Sequence, residues 1–99
     1  MEDLQIGSIV RSVAGRDKER LFVVTGLELG FAYLADGRIR PIERPKRKKI
    51  KHLEPVAPNG GRVGEKLRLH EKVHNSELRR VINEFAAIEK DEPAKPLEV

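Results

Sequence analysis

The chain has 99 residues, and its 20 Lys and Arg outnumber its 16 Asp and Glu, which gives a formal net charge of +4. This length has room for one small domain, and with 38% hydrophobic and 4% aromatic residues its core must be small and mostly aliphatic. The absence of cysteine excludes disulfides and thiolate metal sites. The longest apolar run, Leu21 to Val24, cannot cross a bilayer, and the start MEDLQ lacks the layout of a signal peptide. We therefore expect a cytoplasmic protein with no membrane partner.

Residues 1–56 are predicted to form a domain of short strands separated by turn residues. A polar loop, residues 14–20, contains Gly15 as a turn former. Asp36-Gly37 predicts a tight hairpin, since a type I′ turn needs positive φ at both positions. Pro41 and Pro45 cannot donate ladder hydrogen bonds, so the chain there lies at an edge or leaves the sheet. The strands are expected at residues 7–13, 21–27, 31–35, 38–42 and 51–56. Such a pattern favours a mainly β fold, as a small antiparallel barrel or a strongly bent sheet.

The C-terminal half is predicted to contain a linker, a helix and a tail. Residues 57–75 read as a linker with room for one short helical turn at 64–70. Residues 76–90 predict an amphipathic α-helix, which Asn75 or Ser76 can cap. Its apolar stripe consists of Leu78, Val81, Ile82, Phe85 and Ile88. A lone helix of this length is marginal in water, so the stripe must dock on the sheet or on another molecule. Residues 91–99 are expected to be unstructured.

Residues 38–52, RIRPIERPKRKKIKH, concentrate the positive charge of the chain. They hold eight Lys and Arg against Glu43 alone, a local net charge of +7, whereas eight cations and eight acids cancel over residues 56–99. Crowded like charges repel one another, and a polyanion that neutralises them also releases its own counterions. Nucleic acid is therefore the partner that this segment suits best. The alternatives are a solvated charged face and, in a eukaryotic host, a nuclear import signal at PKRKKIK.

Few residues indicate any other chemistry. Phe22, Phe31 and Phe85 are expected in the core, and Tyr33 is the remaining aromatic residue, so recognition of the phosphate backbone is favoured over base stacking. His70 and His74 stand one helical turn apart but no third ligand is evident, so no metal site is predicted. No nucleophile and base occur in a recognisable arrangement. We expect neither enzymatic activity, nor a cofactor, nor a small-molecule substrate.

Three motifs in order, SVAGRDK at residues 12–18, ADGRIR at 35–40 and PKRKKIKHL at 45–53, resemble the KOW family. The chain looks most like small bacterial KOW-domain RNA-binding proteins related to a large-subunit ribosomal protein of the archaeal and eukaryotic type. The resemblance implies a five-stranded SH3-like barrel followed by the C-terminal helix. It also implies binding to structured RNA through the phosphate backbone, in the ribosome, with ribosomal proteins as possible neighbours. The alternative left open is a protein–protein interaction module that uses the barrel and the C-terminal helix.

The resemblance and the basic segment together give a set of expected site residues. First-loop contacts to RNA fall on Arg16, Lys18 and Arg20, and Gly15, Asp36 and Gly37 are expected to form turns. The other expected contacts are Arg38, Arg40, Lys46, Arg47, Lys48, Lys49, Lys51 and His52. Many KOW motifs have glycine after the lysine of the first loop, whereas this chain has Glu19. If that position needs positive φ, glutamate costs about 1 kcal/mol there and places a negative charge near phosphate.

Overall fold

A five-stranded antiparallel sheet and two helices make up the fold. The computed structural model describes residues 4–91. Its strands are β1 (Ile9–Ser12), β2 (Leu21–Glu28), β3 (Phe31–Ala35), β4 (Lys46–Lys49) and β5 (Leu53–Ala57), and its helices are α1 (Gly61–Arg68) and α2 (Asn75–Asp91), with a 3₁₀ turn at Ile50–His52. The strand order is β4-β3-β2-β1-β5, so both β2 and β5 flank the first strand. This arrangement fits a small barrel-like β fold, as the strand pattern predicted.

The two faces of the sheet build two separate apolar clusters. Neighbouring residues of a strand point to opposite faces, and the clusters follow this rule. Ile9, Val23 and Ala35 pack with the helices. The buried residues of the other cluster all come from strands, and Leu4 and Ile50 pack against them; these buried residues are Val10, Phe22, Val24, Ala32, Leu34 and Leu53. Because β2 is covered on both faces, its start LFVV is a continuous buried run rather than an alternating one.

Helix α2 docks on its own sheet. Leu78 and Val81 are buried in the first cluster, and Ile82 and Phe85 pack against it. Ile88 departs from the predicted stripe, with 58% of its surface exposed. The prediction left open whether this stripe packs on the sheet or on another molecule. Within the described residues, most of the stripe packs on the sheet of the same chain.

The start of α2 differs from the predicted cap. Glu77 Oε1 accepts the backbone N–H of His74 at 2.8 Å, which is one half of a capping box. Asn75 instead uses its side-chain oxygen to accept the N–H of Ile42 at 2.8 Å. Its Nδ2 donates to Glu43 Oε1 at 3.1 Å. Asn75 therefore fastens the loop that precedes β4 to the helix.

The predicted strand at residues 38–42 is wrong. Asp36 Oδ1 accepts the backbone N–H groups of both Arg38 and Arg40 at 2.9 Å, and the N–H groups of Asp36 and Gly37 donate to the Arg40 carbonyl. These bonds close a compact turn instead of a hairpin. Gly37 has a φ of 80°, but Asp36 is not among the residues with positive φ, so the turn is not type I′. The fourth strand begins only at Lys46, after both prolines, and the fifth lies at 53–57 rather than 51–56.

The segment predicted as a linker, residues 57–75, contains helix α1. This helix is longer than the expected turn at 64–70 and begins three residues earlier. It is tied to the chain just before β1, since the Gly60 N–H donates to the Gly7 carbonyl at 2.8 Å and Arg68 Nη1 donates to the Ile6 carbonyl at 3.1 Å. The predicted tail begins at Asp91, which is the last residue of α2; residues 92–99 lie outside the described part.

Candidate nucleic-acid interface

Strand alternation divides the cations of β4 between two faces. Lys46 pairs with Leu34 and Lys48 with Ala32 across the β3–β4 ladder, and both partners belong to the buried core. Arg47 pairs with Tyr33 and Lys49 with Phe31 on the opposite face. The prediction treated these four cations as one contact surface. The structure corrects this, because only Arg47 and Lys49 are exposed.

Lys46 and Lys48 hold the first loop, residues 14–20, in place. Lys46 Nζ lies 2.9 Å from Asp17 Oδ2, and Lys48 Nζ donates to the Ala14 carbonyl at 2.8 Å. Ser12 Oγ donates to the same carbonyl at 3.1 Å. Lys48 is only 8% exposed, so it is removed from the expected RNA contacts. Both lysines orient the loop rather than extend the charged surface.

Asp17 is the buried centre of this arrangement. Only 6% of its surface is exposed. Burial raises the pKa of Asp17, but the hydrogen bond and charge of Lys46, with the charges of Lys48 and Arg40, outweigh it and hold the pKa below its usual value. An ionised Asp17 thus gathers three of the predicted RNA-contacting cations. Arg40 is half-buried and its Nε has no hydrogen-bond partner among the described residues.

Asp17→Asn is expected to lower the free energy of unfolding at pH 7 by about 1–3 kcal/mol, because Lys46 loses its charged partner in a largely buried place. A lowered folded-state pKa stabilises the fold above the unfolded value and loses this effect as pH falls through the folded value. The difference between variant and parent should therefore shrink below about pH 4. Urea unfolding of both chains at pH 7 and pH 3 measures it. Glu28 and Glu77, whose pKa values are also lowered, cancel in this comparison, so an equal difference at both pH values would contradict the assignment.

The first loop displays its cations on a tight backbone. The Lys18 N–H donates to the Gly15 carbonyl at 3.2 Å and the Arg20 N–H to the Asp17 carbonyl at 2.9 Å. Gly15 has a φ of 81°, in agreement with its predicted role as a turn former. The side chains of Arg16, Lys18 and Arg20 are exposed, as expected of residues that meet a partner.

Glu19 adopts the positive φ that a glycine would favour at its position. Its φ is 75°, and its N–H donates to the Ser12 carbonyl at 2.7 Å, which fixes this conformation. A residue with a Cβ pays about 1–2 kcal/mol in the left-handed region. The position of Glu19 therefore does require positive φ, and the glutamate is strained there. It also adds an exposed carboxylate among three exposed cations.

Glu19→Gly is expected to raise the free energy of unfolding by roughly 0.5–1 kcal/mol, since the relief of strain exceeds the extra entropy that glycine loses. Glu19→Gln keeps the strain and removes the charge, so it should leave stability unchanged while raising affinity for a polyanion. Urea unfolding and RNA titration of the two variants separate strain from charge. A Glu19→Gly protein less stable than the parent would contradict the strain.

Exposed cations continue beyond the first loop into the turn before β4 and past the end of β4. Arg38 and Arg44 lie in the turn, and Lys49 and Lys51 lie at the far end of β4, while His52 is half-buried. Apart from Arg47, the exposed expected contacts are thus Arg16, Lys18, Arg20, Arg38, Lys49 and Lys51, to which the structure adds Arg44. Within residues 4–91, none of these seven makes a side-chain hydrogen bond or salt bridge. Their charge remains available to a partner.

Two arginines of α2 join this surface and were missed by sequence reasoning. Arg79 and Arg80 line a groove of about 600 Å³ with Arg38. Arg79 Nη1 also donates to the Gly37 carbonyl at 2.8 Å. The groove is completed by Ser76, Asn83, Glu84 and Ala87. The pair of arginines beside the apolar stripe was visible in the sequence, but nothing there showed that the turn before β4 meets α2.

Phe31 is not a core residue, contrary to expectation. It is half-buried and belongs to neither apolar cluster. As predicted, Phe22 is buried in the core, in the cluster that also contains Leu34, and Phe85 packs against the cluster that the sheet forms with the helices. The Arg47 guanidinium carbon lies 3.6 Å from the centroid of the Phe31 ring. Arg47 Nε also forms a 2.9 Å ion pair with Glu28 Oε1. Arg47 is therefore exposed but already paired.

Among the side chains that the structure describes, no group of three or more His, Cys, Asp and Glu is placed to hold a metal ion. No helix in the described part of the chain is long and apolar enough to span a bilayer. The chain matches no protein-family model and no curated protein sequence.

Proposed function

We propose that this protein is a non-enzymatic RNA-binding protein of the KOW type, in which the five strands form an SH3-like barrel. The strand order, with the first strand between the second and the fifth, supports this. So does the SVAGRDK loop, which turns through positive φ at Gly15 and again at Glu19, where the resemblance places glycine. The partner is structured RNA, and the resemblance favours ribosomal RNA in the cytoplasm, with ribosomal proteins as neighbours.

The observation that carries the proposal is the set of seven exposed cations without partners inside the described chain. They lie on the first loop, on the turn before β4 and at the end of β4. Asp17 of the first loop pairs with Lys46 at the start of β4, and the charge of Arg40 in the turn also acts on it. The buried Lys48 and the half-buried Lys46 thus orient the loop, while exposed arginines and lysines face solvent. Arginine can bind phosphate through two parallel hydrogen bonds, and lysine acts as a mobile point charge.

Binding to ribosomal RNA across a salt series tests the proposal. With about five to seven phosphates contacted, the log–log slope of affinity against salt should lie near −3.5 to −6. A flat slope, or no binding at low salt, would contradict it. The alternative of a protein-interaction module loses its main support, because Leu78 and Val81 of the apolar stripe are 0% and 6% exposed.

A further inference from the structure

The outer face of β2, β3 and β4 carries a connected network of four side chains. Arg47 Nε donates to Glu28 Oε1 at 2.9 Å, and the Tyr33 hydroxyl donates to Glu28 Oε2 at 2.8 Å. The Arg47 guanidinium stacks on Phe31 at 3.6 Å from the ring centroid. The strand register brings these groups together, since Tyr33 faces Arg47 and Glu28 faces Phe31 across the ladders. Hydrogen bonds on one side and an aromatic ring below fix the plane of the guanidinium.

This network is poorly suited to phosphate. Glu28 balances the charge of Arg47, and the hydrogen bonds from Arg47 and then Tyr33 lower the pKa of Glu28, so its carboxylate stays ionised. A phosphate approaching Arg47 would meet that negative charge. The ion pair of Arg47 and Glu28 has no net charge, so it has no evident role in binding the phosphate backbone of RNA.

The same geometry suits a flat neutral ring. The Arg47 side chain remains 51% exposed although Phe31 covers one side of its guanidinium, so about half of its surface is still accessible to a base. Splayed bases of RNA stack on guanidinium planes as well as on aromatic rings, and an arginine backed by an aromatic ring is already desolvated on one face. Lys49 is exposed on the same face of β4 and can meet a flanking phosphate.

We propose that Glu28, Phe31, Tyr33 and Arg47 form a stacking platform for one unpaired base of the bound RNA. This inference depends on the proposed function and adds a preference to it: the protein selects folded RNA that presents a bulged or looped-out base. Phe31 positions the Arg47 guanidinium through the ring contact. Tyr33 positions it through Glu28, to which both side chains donate a hydrogen bond. Arg47 makes the contact to the base.

Two hairpin RNAs of equal length and charge test the platform, one with a single bulged 2-aminopurine and one with that base paired. The parent protein should bind the bulged RNA about fivefold more tightly, the lower limit for one stacked base, and should quench its fluorescence. Arg47→Lys keeps the charge but removes the plane, so the preference should fall to about one and the quenching should disappear. Phe31→Leu should act in the same direction. Lys18→Ala, in the first loop, is the matched control, which should weaken both complexes by the same factor and leave the preference unchanged.

The outcomes separate the platform from the proposed function. If the parent binds both RNAs equally without quenching, the platform is overturned and RNA binding stands. The platform is also overturned if Arg47→Lys retains the preference. If the parent binds neither RNA at low salt, the proposed function fails and the platform fails with it. Far-UV circular dichroism of each variant shows that the sheet has formed.

Discussion

Replacing Arg16, Lys18, Lys49 and Lys51 together with alanine should lower the affinity for RNA by about a hundredfold or more at low salt, while stability changes little. Each removed phosphate contact should reduce the salt slope by about 1. All four side chains are exposed and make no hydrogen bond or salt bridge to a described side chain, so we expect the fold to tolerate their loss. Fluorescence anisotropy with labelled RNA at several salt concentrations, beside urea unfolding, measures both quantities.

The matched control is the double variant Lys46→Met and Lys48→Met, which also removes two cations from the basic segment. These lysines contact Asp17 and the Ala14 carbonyl inside the fold. Leaving the buried Asp17 without its partner should cost about 3–5 kcal/mol of stability. RNA affinity then falls because the first loop loses its support. If this double variant unfolds like the parent and merely lowers the salt slope by about 2, Lys46 and Lys48 contact RNA directly and the division of β4 between two faces is wrong.

The KRKK run of β4 shows how far the sequence could predict the site. Composition correctly identified a concentration of cations, because charge can be counted without a structure. Which cations are exposed depends on the register with β3, where Lys46 and Lys48 follow Leu34 and Ala32 to the core side. A run of four lysines and arginines contains no hydrophobic alternation that would reveal this register. Period-2 arguments therefore predict strands well only where apolar and polar residues alternate.

The turn before β4 shows a second limit. Asp36-Gly37 is a strong local signal for a hairpin, and these residues did form a turn, but the Asp36 carboxylate accepts the N–H groups of Arg38 and Arg40 and prevents a strand. Contacts distant in sequence also hold this turn, since Asn75 of α2 accepts the N–H of Ile42 and Arg79 donates to the Gly37 carbonyl. By contrast, β3 matched its prediction at both ends. FAYLA contains no Ser, Thr, Asn or Asp, whose side chains compete with the strand ladder for backbone hydrogen bonds.

Gly37→Ala is expected to destabilise the protein by about 2–5 kcal/mol, because it adds both a conformational and a packing cost. Gly37 has a φ of 80°, which costs a residue with Cβ about 1–2 kcal/mol. A Cβ there would also clash with the Asn75 carbonyl oxygen and lie 3.0 Å from Arg79 Cγ and 3.1 Å from Leu78 Cβ. Such overpacking costs about 1–3 kcal/mol, since neither the α2 backbone nor the buried Leu78 can give way easily.

Gly30→Ala separates these two causes. Gly30 has a φ of 78°, almost the same as Gly37, but a Cβ there would have no atom within 4 Å. It should therefore cost only the conformational term of about 1–2 kcal/mol. Urea unfolding of both variants gives the packing term as the difference between them. If the two midpoints shift equally, Gly37 is not tightly packed against α2. The Gly37 contact then does not help to fix the arginine groove formed by Arg38, Arg79 and Arg80, and among the described residues the bonds of Asn75 to Ile42 and Glu43 alone join the turn to the helix there.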